Sequence, residues 1–331
     1  MRTHASLTLL AIALSTASAS AVTTLTSATL DFDGGSWDDG LPSSTNPGEI
    51  DSNFTNTANH NMSAFPNTTI TQTAGTGTVT HFNFHSQPTF TYTIEGGAIN
   101  MTGGNDFFVN GTNFVQTGGS VDTTNDPVRV VNGGSFVLNG GTFTSGTQTV
   151  VAENGSITIS DGTLTTAVVQ VRVGSFELSG GTIIQSNTGV VVGVNGNATS
   201  VMNPTVDLSG GTIQSPASAF LANREIMATI SGTFVADATS VVSLFNGISD
   251  DNATIDFDSD WTGSLIFDSA TDFTSQFEGG DVSLDGTALG AGDFATYFQN
   301  SSGVITLIPE PSTALLGMLG AGFLLRRRQR A

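Results

Sequence analysis

The chain has 331 residues, 28 acids against eight arginines, no lysine and no cysteine, for a formal net charge of −20. Nucleic-acid binding needs clustered cations and is excluded by that balance, which also works against attraction to anionic lipid or acidic polysaccharide. Without cysteine there are no disulfides, zinc–thiolate sites, haem attachment or thiol nucleophile, so backbone ladders and packing must hold the fold. Branched and aromatic residues recur regularly through a background of Gly, Thr, Ser and Asn, which indicates an all-β protein rather than a disordered one.

The chain opens as a secretory signal peptide. Arg2 and His4 precede an apolar stretch over 7–14, and Ala-x-Ala sites end at Ala19 and Ala21. Cleavage by signal peptidase is expected after Ala21, with Ala19 as the alternative. The exported body, 22–308, keeps only Arg129, Arg172 and Arg224 against 27 acids, a formal charge of −24. Residues 22–88 read as an N-terminal cap with the first coils, and Trp37, in a Gly-rich turn, is placed to plug the end.

A repeat follows over 89–234. A small-Gly mark recurs with its last glycine at Gly97, Gly119, Gly141, Gly162, Gly181, Gly211 and Gly232, at intervals of 19–22 residues apart from one of 30. Around each mark apolar residues hold the offsets i, i+2 and i+7, as in Phe136/Leu138/Phe143, Ile157/Ile159/Leu164, Phe176/Leu178/Ile183 and Val206/Leu208/Ile213. Phe114/Gln116/Val121 fits with one polar exception. Positions i and i+2 share a strand face, the glycines turn the chain, and the next strand turns i+7 inward. Such a unit cannot bury its apolar face alone but can when stacked. The pattern predicts a parallel β-helix, with an insertion over 195–203 and an alternative of a hairpin-built β-sandwich. Residues 235–308 lose the mark, gain Asp-rich loops, and read as a C-terminal β cap.

Candidate chemistry is sparse. Asp256, Asp258 and Asp260, near Asp250 and Asp251, form a D-x-D-x-D run that hints at calcium. Trp261 and Phe267 occupy the Gly and Glu positions of an EF-hand loop, so alternation on one solvated strand face, with Ile255 and Phe257 inward, is the simpler expectation. Arg129 and Arg172 are the basic groups of the regular repeats. Their opposite parity puts one of them inward unless the register slips, and neither case builds the basic cleft of a polysaccharide lyase. With so many acids, no glycosidase carboxylate pair stands out. His60, His81 and His85 read as surface residues, because His81-x-x-x-His85 has metal spacing only on a helix.

The last segment, 309–331, consists of Pro309-Glu310-Pro311, an apolar run over 312–325, and the cluster Arg326, Arg327, Arg328 and Arg330. The arginines are costly to move across a bilayer, so this reads as a transmembrane helix with a cytoplasmic end. Fourteen residues at ~1.5 Å span roughly 21 Å, short of the ~30 Å of a hydrocarbon core, which suits a temporary anchor. A C-terminal helix packed in a soluble core is the alternative. The three parts in this order resemble a PEP-CTERM sorting signal. That resemblance implies recognition by an exosortase, a membrane cysteine transpeptidase, with cleavage near the triplet, in a Gram-negative bacterium that makes exopolysaccharide. The body resembles Gly-rich, autotransporter-like β-helix passengers. The expectation is an exported structural or adhesive protein of the cell envelope or exopolysaccharide matrix, without a cofactor and with exopolysaccharide as partner. The alternative is a carbohydrate-active enzyme, a polysaccharide lyase or glycosidase, on the same scaffold.

Overall fold

In the computed structural model the repeats wind into a parallel β-solenoid of about eight turns with very little helix. The structure describes residues 22–30, 37–57, 60–85, 87–103, 106–123, 126–146, 149–186, 190–192, 204–216, 220–222, 227–238, 254–267 and 272–309. The expected signal peptide with Ala19 and Ala21, the expected insertion over 195–203, Arg224, Asp250, Asp251 and the tail from Glu310 through Pro311 to the arginine cluster lie outside them. No helix among the described residues is long and apolar enough to cross a membrane.

Each turn has three sides. Face A starts with Gly48–Ile50, Thr69–Gln72, Thr91–Ile94 and Asn113–Gln116, and ends with Met227–Ile230, Thr254–Phe257 and Val282–Leu284. Face B runs from Phe54–Asn56, Thr76–Val79, Ala98–Met101 and Ser120–Asp122 to Val235–Ala238 and Ser264–Phe267. Face C contains His60–Asn61, Phe82–His85, Phe107–Asn110, Val128–Val131, Val190–Val192 and Phe220–Ala222. The long strands Ser135–Thr144, Thr149–Thr166, Val168–Gln185 and Thr205–Ser215 bend round corners and serve more than one face. Coil pairs with coil in parallel, which removes the sandwich alternative, since sandwich sheets are antiparallel.

The predicted offsets become interior ladders. Ile70, Tyr92, Phe114, Phe136, Ile157, Phe176, Val206, Ala228, Ile255 and Val282 stack in register on face A, and all are buried. Parallel register brings like rings together. Phe82 and Phe107 stack at 4.1 Å with a 4° interplanar angle, and Phe114 meets Phe136 at 5.4 Å. The i+7 positions Ile99, Val121, Phe143, Leu164, Ile183 and Ile213 form a second ladder on face B.

The glycine marks make the corner between faces A and B, and all seven adopt left-handed φ, from +58° to +82°. At Gly141 the constraint is double: φ is +74°, and a Cβ would lie 2.5 Å from the carbonyl oxygen of Gly119 in the coil below. Gly75, at +74°, makes the same corner within 22–88, where the preceding residue is alanine. Gln116, the polar exception, is fully buried, and its amide donates to the carbonyls of Gly119 at 3.3 Å and Thr142 at 3.0 Å. Gln72 repeats this pattern two coils earlier, with the Tyr92 hydroxyl donating to its Oε1 at 3.2 Å.

Both ends are covered. Trp37 is buried, pairs through its backbone with Leu25, and lies over Gly48 at the first full turn. At the other end two short helices, Thr274–Phe277 and Phe294–Tyr297, and the hairpin Phe298–Ser301/Val304–Leu307 close the bore. Phe257, Trp261, Phe277, Phe294 and Phe298 pack there with ring centroids 4.9–6.3 Å apart. Parallel stacking continues past 234 through Ser264–Phe267 to Val282–Leu284, so the sequence-marked repeat is shorter than the solenoid.

Candidate functional site

The two arginines of the repeats come together on the outside of face C. Val169 and Val171 are buried and Gln170 and Arg172 are not, so ordinary strand alternation turns Arg172 outward. The register slips at the corner after Arg129, where Val131 pairs with Glu153 but Ser135 pairs with Ser156. Arg129 pairs with Val151, one coil below Gln170, and also faces outward. The slipped-register alternative therefore holds, and parity alone misplaced the pair. Arg129 donates to Glu153 Oε2 at 2.7 Å and to Asp106 Oδ2 at 3.4 Å. Arg172 donates to Glu153 Oε1 and to Gln170 Oε1, the latter at 3.1 Å. The Arg129 guanidinium also sits 5.4 Å from the Phe108 ring centroid.

This arrangement is balanced: two guanidinium groups face two carboxylates. Burial pushes the Glu153 carboxyl up, but the hydrogen bonds and charges of Arg129 and Arg172 outweigh it and hold the group below the usual carboxylate range. The hydrogen bond that Arg129 donates to Glu153 leads the causes that raise the pKa of Arg129, whose charge is thereby secured. Neither arginine is arranged as a base.

Beside this network lies a groove of about 260 Å³ lined by Gly133, Gly134, Asn154, Gly155, Ser156, Gly174 and Ser175. It follows the corner between faces C and A. Its floor is backbone, because the coils approach too closely there for a side chain: a Cβ on Gly174 would lie 1.9 Å from the Gly155 carbonyl oxygen. Asn154 takes left-handed φ, +60°, which asparagine tolerates better than most residues. Its wall continues as a hydroxyl column, Ser135, Ser156, Ser175 and Thr205, in parallel register along face A. The sequence analysis missed this groove. The available signal was a second glycine column, Gly134, Gly155 and Gly174, repeating in step with the marks.

A second hydroxyl column, Thr142, Thr163, Thr182 and Thr212, stands in register on the outside of face B. Thr144 and Thr165 flank it two residues on.

The aspartate run is arranged differently from expectation. Ile255 and Phe257 do point inward, and Asp256 does face out. The strand ends at Phe257, however, so Asp258 and Asp260 belong to the following turn and share no strand face with Asp256. Asp256 accepts from Ser283 Oγ at 2.5 Å and from the Gly286 amide at 2.9 Å, and Asp260 accepts from the Gly232 amide at 3.3 Å. Burial, followed by Asp256, Asp260, Asp285 and Asp207, pushes the Asp258 carboxyl up. No group of three or more metal-ligating side chains converges among the described residues. His81 lies before, and His85 at the end of, the strand Phe82–His85, so their spacing is not helical; His81 Nδ1 lies 3.1 Å from Thr80 Oγ1.

No protein-family model matches the chain, and no curated protein and no solved structure matches it.

Proposed function

We propose that this chain is an exported, non-enzymatic β-solenoid with a structural or adhesive role in the envelope or exopolysaccharide matrix of a Gram-negative bacterium. The signal peptide sends it across the inner membrane. The tail, 309–331, holds it there with its arginines in the cytoplasm until an exosortase acts near Pro309-Glu310-Pro311. The solenoid then works as a stiff rod that offers hydroxyl groups to neutral glycans.

The observation that carries this reading is the face B column Thr142, Thr163, Thr182 and Thr212, an outward row of hydroxyls repeated at the coil spacing of about 4.8 Å. Hydroxyls donate and accept without adding charge, which suits a body of formal charge −24 meeting an uncharged polymer. A glycan array probed with the mature protein tests it. Retention on neutral polysaccharides supports the reading, and an array blank for every glycan defeats the adhesive role.

The enzymatic alternative draws on one observation, the juxtaposition of Arg129, Arg172 and the groove. Both guanidinium groups are occupied by Glu153, Asp106 and Gln170, and general-base chemistry needs a free base within reach of the substrate proton. Release of reducing sugar that Arg172→Gln abolishes would restore that alternative.

A further inference from the structure

We infer that Asn53 is an N-glycosylation site, modified at its side-chain nitrogen by an oligosaccharyltransferase on the outer face of the inner membrane. The inference rests on the reading of the chain as exported and adds a covalent modification to it.

The sequence narrows the choice first. Nine Asn-x-Ser/Thr triplets without an intervening proline occur in the chain. Those at Asn53 and Asn252 also carry an acid two residues before the asparagine, and Asn252 lies outside the described residues. In an extended chain, residues i, i+2 and i+4 line one face. Asp51, Asn53 and Thr55 therefore present a carboxylate, an acceptor amide and a hydroxyl side by side, a set that an ion pair and hydrogen bonds can read together.

The fold leaves this site open. It forms the corner between Gly48–Ile50 on face A and Phe54–Asn56 on face B. Asp51, Ser52, Asn53 and Thr55 are exposed, whereas Ile50 and Phe54 are buried. Asn53 Oδ1 accepts from the backbone amide of Thr76, in the next coil, at 2.8 Å. Only the oxygen can accept from an N–H, so this bond fixes the orientation of the side-chain amide. Nδ2, the atom that takes the sugar, has no hydrogen-bond partner among the described residues. Thr55 Oγ1 donates to the Ala28 carbonyl at 3.1 Å and keeps its capacity to accept. A glycan on Nδ2 leaves both of these bonds in place.

The order of export also favours the site. A solenoid coil is stable only against its neighbours. Residue 53 crosses the membrane before Thr76–Val79, the strand on which Phe54–Asn56 stacks. The segment is therefore still extended, with Phe54 not yet buried, when it meets the transferase. In the reaction Nδ2 attacks the anomeric carbon of an oligosaccharide carried on a polyprenyl pyrophosphate. The new C–N bond forms as the bond from that carbon to the pyrophosphate oxygen breaks. The pyrophosphate leaves with the electron pair, and Nδ2 releases one proton.

Peptide mass mapping of the protein isolated from its native host tests this, with the cell fractions kept apart. The exported protein should carry an oligosaccharide on the peptide containing Asn53 and none on the peptide containing Asn67. Asn53→Gln and Thr55→Ala should abolish the modification, and Asp51→Asn should remove most of it. Thr55→Ser keeps the hydroxyl and should keep the glycan, which separates lost recognition from lost folding. Exported protein lacking residues 1–21 but unmodified at Asn53 overturns the site and leaves the export reading standing. A glycan that survives undiminished in Asp51→Asn or Thr55→Ala overturns it as well. Cytosolic protein retaining residues 1–21 overturns the export reading and this site with it.

Discussion

Arg129 and Arg172 stand two coils apart and donate to opposite oxygens of one carboxylate, that of Glu153. A side-chain bridge thus runs along the solenoid axis across three successive coils, parallel to the backbone ladder. Ordinary strand alternation turns both guanidinium groups outward, with Val128, Val130, Val169 and Val171 buried beside them.

Loss of that carboxylate should be visible only where it is charged. The folded pKa of Glu153 lies below its ordinary value, so its contribution is present above about pH 4.3 and is lost as pH falls through the folded value. Glu153→Gln should lower the Tm at pH 7 by a few degrees at most, because each half-exposed pair is worth no more than about 1 kcal/mol. The difference from wild type should shrink in high salt, and shrink again as pH falls below the ordinary carboxylate range and through the lowered folded value. Thermal melts across pH and ionic strength check this.

The corner glycines are predicted to be unequal. Gly141→Ala must hold a left-handed φ and drive a Cβ into the Gly119 carbonyl, and should cost at least about 2 kcal/mol. Gly133 has φ of +78° but open space around it, so Gly133→Ala should cost only the backbone strain, about 1 kcal/mol. Chemical denaturation of the two variants separates clash from strain.

The buried glutamines should differ when made apolar. Gln116 sits between Ile94 and Leu138 in its ladder, and its Oε1 has no partner. Gln116→Leu extends an apolar ladder and removes an unsatisfied oxygen but gives up the amide's bonds to the Gly119 and Thr142 carbonyls, so its net effect should be small, within about 1 kcal/mol. Gln72→Leu strands the hydroxyl of Tyr92, which is buried, and should destabilise by about 1–3 kcal/mol. A small effect at Gln116 beside a clear loss at Gln72, measured in denaturant melts, would show that the difference lies in the Tyr92 hydroxyl left unpaired.

Much of the solenoid was legible because its physics is periodic. Stacked coils demand left-handed corners, so glycine recurs at Gly97, Gly119 and Gly141, and inward positions such as Phe136 and Phe143 must be apolar. The limits of the repeat were less legible. Gly75 makes the same turn after an alanine, and Ser264–Phe267 stacks in parallel without any mark. The site was hardly legible at all. Parity counted back from Gly134 and Gly174 misplaced the arginines, because the coil of Arg129 holds one more residue between its strand and the glycine: Val131 pairs with Glu153 but Ser135 with Ser156. The aspartates misled for a related reason: alternation was extended through Asp258 and Asp260, where the strand had already ended.

The most direct test of the account is the intact mass of the protein isolated from its native host, compared between cell fractions. Export and tail processing predict a species outside the cytoplasm that lacks residues 1–21 and the terminal arginines Arg326, Arg327, Arg328 and Arg330. A cytosolic species carrying all 331 residues would contradict it.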